Sequence, residues 1–290
     1  MYGLNFGRRK HSALSRTPTT LSFGDDFLNT NKTAVITGGS SGIGKAAAIM
    51  LSDKDYTVFE LSRKGESFGK INHITADVTD ESAVTRAFER IIEITGRIDL
   101  LINSAGFGIS GAVEFTELES AEKEFDVNFF GTFNCCKAAI PYLRKTKGTI
   151  INVSSAAAVF SIPFQSFYSA SKSAINSLTL SLANELRPFG IKVCAVMPGD
   201  TKTGFTAARQ KSDEKNDLYK DTIRSAVVSM EKDELHGMPP ESVARLIVKT
   251  ALKKHPAPIY TAGFKYKLFR LLDRLLPMRL KNYIVGKMYG

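Results

Sequence analysis

Tyr168 and Lys172 stand four residues apart in "FYSASKSAINSLTLSLANEL", a stretch whose Leu178, Leu182 and Leu186 repeat at helical spacing. On a helix that separation stacks the phenol and the ammonium on one face. A free tyrosine, with a pKa of about 10, exchanges its proton poorly at neutral pH. A cation one turn away favours the phenolate and is expected to lower that value. The pair therefore suits a proton transfer at the phenol oxygen. Taken alone, the same spacing also describes a surface pair on an ordinary helix, so the surrounding elements decide.

From Lys32 the chain alternates short apolar runs with helical patterns. "TAVIT", "YTVFELS", "INHITA", "RIDLLIN", "GTIINVS" and "IKVCAVMPG" are expected strands. "KAAAIML", the region 117–145 and "PESVARLIVKTAL" are expected helices, as is "ESAVTRAFERIIEIT", with Val84, Phe88 and Ile91 or Ile92 on one face. Such alternation argues a parallel sheet with helices on both faces. Residues 200–240 are polar and are expected to be irregular. Between the first strand and the first helix, Gly38, Gly42 and Gly44 permit a tight turn, the approach of a pyrophosphate and close helix–sheet packing. The helix N-terminus behind them offers free N–H groups and a partial positive charge. The plainer alternative is a glycine-rich turn with no ligand.

The glycine spacing is T-G-x-x-x-G-I-G, and it is followed by "NSAG" (103–106), "DVNFFG" (126–131), "NVSS" (152–155), Tyr168-x-x-x-Lys172 and "MPGDTKT" (197–203). In this order the motifs resemble the short-chain dehydrogenase/reductase family over roughly residues 32–263. The resemblance implies a single Rossmann-like, doubly wound α/β domain with a seven-stranded parallel sheet flanked by helices. It implies a ketone or aldehyde interconverted with an alcohol. Tyr168 would be the acid/base, and Lys172 would tune it and hold the nicotinamide ribose. Ser155, thirteen residues before Tyr168, would hydrogen-bond the substrate oxygen, with Ser154 as the rival. Asn128 would hold a water linking the lysine to solvent. Around the cofactor the pattern places Gly38, Ser40, Ser41, Gly42, Ile43 and Gly44, then Asn103, Ala105 and Gly106, then Pro198, Gly199, Thr201 and Thr203. "NSAG" has a serine where the family more often has a second asparagine.

An acid about 20 residues past the glycines grips a ribose 2′-hydroxyl in NAD enzymes. Glu60 falls two residues short of the strand end, and the discriminating place in the family's pattern is Ser62, followed by Arg63 and Lys64. Serine leaves room for a 2′-phosphate and Arg63 can bind it, so the expected cofactor is NADP(H). Asp77 and Val78 match the pair beside the adenine.

Residues 1–32 hold five Lys/Arg and two Asp, and residues 264–290 hold seven Lys/Arg and one Asp, which leaves +1 of the total +10 for 33–263. A body so nearly neutral argues against nucleic-acid binding. Three cysteines without metal-ligand spacing suit a reducing compartment. With no apolar run of transmembrane length, a cytoplasmic protein is expected, peripheral to a membrane surface at most. Residues 1–31 are expected to be a flexible leader, and 204–240 a mobile lid over the substrate. Val159, Phe160, Ile162, Pro163 and Phe164 either line a greasy pocket or pack as a loop. In 264–290, Leu268, Leu271, Leu272, Leu275 and Leu276 alternate with Lys265, Lys267, Arg270 and Arg274 in a basic amphipathic helix ended by Pro277. That extension folds back on the body, pairs subunits of a homodimer or homotetramer, or meets a membrane. The lid and tail resemble those of family members that act on lipophilic carbonyls such as hydroxysteroids or retinoids, and that resemblance implies a substrate of this kind. A 3-oxoacyl-carrier-protein reductase and a non-catalytic NADP(H) sensor are the alternatives.

Overall fold

A computed structural model describes residues 31–211 and 218–289. The expected leader, apart from its last residue, and positions 212–217 of the expected lid lie outside the described residues. In chain order the first half comprises β1 (Thr33–Thr37), α1 (Gly42–Ser52), β2 (Thr57–Ser62), β3 (Ile71–Thr75), α2 (Glu81–Thr95) and β4 (Leu100–Asn103). A two-residue strand, β5 (Ile109–Ser110), precedes α3 (Leu118–Phe125), which runs through one π-helical turn, Asp126–Phe130, into α4 (Gly131–Thr146). Then come β6 (Thr149–Val153), α5 (Ser166–Glu185), β7 (Lys192–Met197), α6 (Phe205–Ala208), β8 (Gln210–Lys211) and α7 (Lys220–Leu235). The chain closes with α8 (Pro240–Ala251), β9 (Ile259–Thr261), α9 (Phe264–Leu275) and α10 (Met278–Tyr289).

Seven strands form one parallel sheet in the order β3-β2-β1-β4-β6-β7-β9. Every residue of β1 and β6 is buried, as a sheet covered on both faces requires. Alternate side chains feed opposite layers. Ala34 and Ile36 join α1 and α8 in one core, while Val35 joins α2 and α4 in the other. The small row Ala46–Ala48 lets α8 approach α1 closely through Val243, Ala244 and Ile247.

The strand order reverses its winding between β1 and β4, which opens a crevice at the carboxyl ends of the strands. The glycine turn follows β1, Ser104–Gly106 follows β4, Ser154 and Ser155 follow β6, and Pro198–Gly199 follows β7. Topology thus gathers at one sheet edge the motifs that sequence scatters over 160 residues.

Two expectations need correction. Residues 200–240 are not irregular: they include the sixteen-residue α7. Ile223, Ala226, Val227 and Met230 recur at helical spacing and are buried with Ala112 against Phe115, Ile162 and Phe164. Each large apolar side chain so buried contributes about 1.5–3 kcal/mol, enough to hold a helix whose other face is charged. The tail holds two helices rather than one. Pro277 does end α9, but α10 follows at once and packs on α7, with Val285 buried. Arg270 fastens α9 to the sheet edge, donating to the Ile259 carbonyl at 3.3 Å and Thr261 Oγ1 at 3.4 Å. Among the described residues, no helix is long and apolar enough to cross a membrane.

Candidate active site

Helix α5 sets Tyr168 and Lys172 one turn apart, and both are drawn inward. Lys172 is 5% exposed. Its Nζ donates to the Val153 carbonyl at 3.2 Å and lies 5.7 Å from the Tyr168 ring centroid. The Ser155 hydroxyl hydrogen-bonds the Tyr168 phenol and accepts from the Ala157 amide at 3.1 Å. Its neighbour Ser154 donates to the Lys172 carbonyl at 3.0 Å, fastening β6 to α5. Of the two serines, Ser155 is the one that engages the phenol.

The protonation balance differs from the sequence expectation. Burial pushes the Tyr168 phenol up to about 12, and the Ser155 bond and the Arg209 charge offset this only in part, while Glu234 and Glu124 add to it. Burial also pushes Lys172 down to about 8, with Glu124 pulling it back up. Desolvation of a side chain with little water contact exceeds the field of a lysine that is itself desolvated. Tyr168 is therefore held as a firm proton donor, and Lys172 does not lower it.

Asn128 occupies the π-helical turn, a wide turn that carries its side chain into the core. Its Nδ2 donates to the Phe107 carbonyl at 2.9 Å and Ser171 Oγ at 3.1 Å, and its Oδ1 accepts from the Phe107 amide at 3.0 Å. The amide expected to hold a relay water is thus a two-ended clamp on the loop after β4. Gly106 makes that approach possible, since a Cβ there would stand 2.9 Å from Asn128 Oδ1 and 3.4 Å from Lys172 Nζ. Beside them Glu124 is wholly buried, and burial raises its carboxyl to about 8 against the pull of Lys172 and a backbone hydrogen bond from Ile109.

A cavity of about 420 Å³ runs along the sheet edge. Its first half is walled by Gly38, Ser41, Gly42, Ile43, Ala105 and Gly106, and its middle by Ser155, Tyr168, Lys172, Pro198, Gly199, Thr201 and Thr203. Gly38 has φ +66°, and a Cβ there would lie 2.9 Å from the Ala105 Cα. A Cβ on Gly44 would run into the Gly38 carbonyl, so neither Gly38 nor Gly44 admits a side chain. Ser41 caps α1 in an extended conformation without a side-chain bond, and the first helical turn carries no acid. The first-turn amides are therefore left to an anion, and the cradle fits a dinucleotide pyrophosphate.

Other expected cofactor residues stand off this wall. Ser40 and Gly44 shape the turn without lining the cavity. Ser62 donates to Glu60 Oε1 at 3.2 Å and to the Lys64 carbonyl at 3.0 Å, and Arg63 beside it is exposed. Glu60 is fully buried beside Gly39 and bonded to His73, so it faces no ribose site. Asp77 accepts from the Thr79 amide at 3.0 Å, while Val78 packs on Gly131 and accepts from Asn134 Nδ2 at 3.0 Å. Asn103 donates to Asn152 Oδ1 at 2.9 Å and to Cys136, which makes it a strut between β4 and β6 rather than a wall of the cavity.

The far half is built from elements for which the sequence left more than one role open. Phe160 and Ile162 line it, whereas Phe164 stacks edge-on against Tyr219, so the apolar loop divides between wall and packing. The Phe205 ring of α6 lies 5.4 Å from that of Tyr168. From the tail come Tyr266, Phe269, Leu272, Leu276, Ile284 and Met288. Tyr266 lies on Gly199, in the space a Cβ would fill, and its hydroxyl donates to Asp200. Asp200 and Glu234 add carboxylates to the wall; Glu234 accepts from Thr206 at 2.6 Å and pairs with the buried Arg209. The helical spacing within 264–276 was the available signal for the tail's wall, but that pattern does not reveal which face turns toward Tyr168.

The family model described as short chain dehydrogenase matches residues 32–214. A 3-ketodihydrosphingosine reductase of Bacteroides thetaiotaomicron is 45% identical over 261 residues, covering 88% of this chain and 97% of its own. An NADPH-dependent 3-dehydrocapnine reductase of Ornithobacterium rhinotracheale is 29% identical over 274 residues, covering 88% and 96%. A solved short-chain dehydrogenase of Streptomyces avermitilis shares the fold with a TM-score of 0.77 at 27% identity, covering 85% of this chain and 94% of that one.

Proposed function

The chain belongs to the short chain dehydrogenase family, and from that premise we propose that it uses NADPH to reduce a long-chain ketone of the 3-ketodihydrosphingosine type. It is an oxidoreductase of carbonyl and alcohol groups that binds a nicotinamide cofactor; the choice of NADPH and of this substrate is our reading. The observation that carries the reading is the cavity beyond Tyr168, whose wall is made apolar by Phe269, Leu272, Leu276, Ile284 and Met288 of the tail. An alkyl chain fits such a wall, and the 45% identical relative is named for an acyclic long-chain substrate. This narrows the sequence expectation of a lipophilic carbonyl from a steroid or retinoid to a sphingoid ketone. Asp200 and Glu234 on the same wall suit the amino group such a substrate carries.

When bound, the nicotinamide supplies the hydride. Everything else in the step belongs to the chain. Ser155 and the Tyr168 hydroxyl meet the carbonyl oxygen, polarise it and stabilise the charge that develops there. Tyr168 then gives its proton to that oxygen, and a phenol held at about 12 remains loaded for this across the neutral range. Lys172, anchored on the Val153 carbonyl, keeps its other N–H groups for the cofactor ribose. Arg63, exposed next to Ser62, would hold the 2′-phosphate of NADPH.

The test is NADPH oxidation by the purified chain with 3-ketodihydrosphingosine, a steroid ketone, retinal and a 3-oxoacyl thioester. The sphingoid ketone is expected to have the highest kcat/KM. Faster turnover of the thioester or the steroid would overturn the substrate assignment, and equal use of NADH would overturn that of the cofactor.

A further inference from the structure

We propose that the outer face of the α9–α10 pair docks on an anionic lipid bilayer, with the mouth of the active-site cavity opening into that bilayer. Helix α9 has three faces. Tyr266, Phe269 and Leu276 face the cavity. Lys267, Arg270 and Arg274 line a second groove of about 370 Å³ beside β9. Between them Phe264, Leu268, Leu271 and Leu275, at i, i+4, i+7 and i+11, are 84%, 46%, 54% and 70% exposed, with Leu271 also bordering the second groove. Helix α10 continues this apolar surface with Met278 and Tyr283, 70% and 64% exposed. Leu272, Ile284 and Met288 line the cavity and are still 38%, 40% and 41% exposed, so the cavity reaches the same surface.

Water is a poor partner for such a face, since each large apolar side chain gains about 1.5–3 kcal/mol on burial. The charge selects the occupant. Residues 264–290 carry seven Lys/Arg and one Asp, and each cation near an anionic membrane surface adds about 1 kcal/mol. A second copy of the chain would bury the leucines but set one basic surface against another. An anionic bilayer satisfies both, with acyl chains against the apolar row and lipid phosphates at the basic groove. The docking stands on this geometry alone. Its use, delivery of a lipid ketone to Tyr168 without passage through water, rests on the function proposed above.

Sedimentation of the full chain with phosphatidylglycerol vesicles, and separately with phosphatidylcholine vesicles, tests docking with no substrate present. Binding is expected to phosphatidylglycerol, to weaken with added salt, and to fall by roughly tenfold or more in Leu268→Glu/Leu275→Glu and in Lys267→Glu/Arg274→Glu. None of these four side chains lines the active-site cavity, so NADPH binding reports whether each variant is folded. Failure to bind phosphatidylglycerol, or equal binding by folded variants and the parent, would overturn the proposal. So would a leucine variant that turns a dimer into a monomer without changing vesicle binding. Turnover of the sphingoid ketone is read separately. Vesicle binding without that turnover sinks the substrate assignment alone, and turnover without vesicle binding sinks the docking alone.

Discussion

In the proposed reduction Tyr168 is the proton donor, since burial, rather than a neighbouring cation, dominates its titration. Reduction needs the phenol protonated, and alcohol oxidation needs it ionised. Oxidation is therefore expected to rise with pH toward about 12. Lys172 loses its charge as pH rises through about 8, so reduction is expected to be level below that value and to decline above it. Rate profiles in both directions check the pair of slopes, and a reduction rate that climbs above this point would contradict them. Tyr168→Phe should lower kcat by roughly 10²–10⁴-fold with NADPH affinity retained, as measured by fluorescence titration. Arg63→Ala should weaken NADPH by at least about tenfold, the worth of one charge-assisted hydrogen bond, and leave NADH nearly unchanged. Equal losses would remove Arg63 from the phosphate site. At this scale much of the site was legible. Tyr168, Lys172 and Ser155 line one cavity; the helical spacing singled out the first two, and the family resemblance the third. The direction of the tyrosine shift was not legible, because desolvation depends on what the rest of the fold stacks around a group.

The elements supply that desolvation, and Glu124 records it. Its carboxyl, on α3, is raised from 4.5 to about 8, with burial as the main cause. A raised carboxyl pKa means that the unfolded chain ionises first, so the stability conferred by the neutral form is present below about 4.5 and is lost as pH rises through about 8. Glu124→Gln keeps the shape and removes the titration. Its melting temperature should fall less across that interval than the parent's, as followed by circular dichroism at a series of pH values; parallel curves would show that Glu124 does not carry the linkage. The parallel sheet was legible because its strands are continuous apolar runs, and a run such as "TAVIT" has few other uses. Helix α7 was obscured by composition: Lys220, Arg224, Glu231, Lys232, Asp233 and Glu234 crowd the stretch, and Ile223, Ala226, Val227 and Met230 are easily lost among them.

At the scale of the molecule, a nearly neutral catalytic body carries a basic tail that completes its active site. Removing residues 264–290 would strip Tyr266 from Gly199 and Phe269, Leu272 and Ile284 from the cavity, leaving Tyr168 and Lys172 in place. The truncated chain is expected to turn over a short soluble ketone with little change while KM for long-chain ketones rises, by roughly tenfold for each 1.4 kcal/mol of lost apolar contact. A series of ketones of increasing chain length measures this, and a uniform loss at every length would mean that the tail serves stability alone. The sequence reading left three fates open for the tail because an amphipathic pattern names two faces without naming what each one meets. The three-sided arrangement of α9 bears on inheritance as well as on mechanism. One residue inserted after Gly263 would turn the whole helix by roughly 100°, sending its leucines toward the active-site cavity, Tyr266 and Phe269 toward the groove and its cations onto the outer face. A point change disturbs one side of the helix, whereas a change of length displaces all three at once. The count between β9 and Pro277 thus constrains the tail as a whole, beyond what each side chain contributes to its own face.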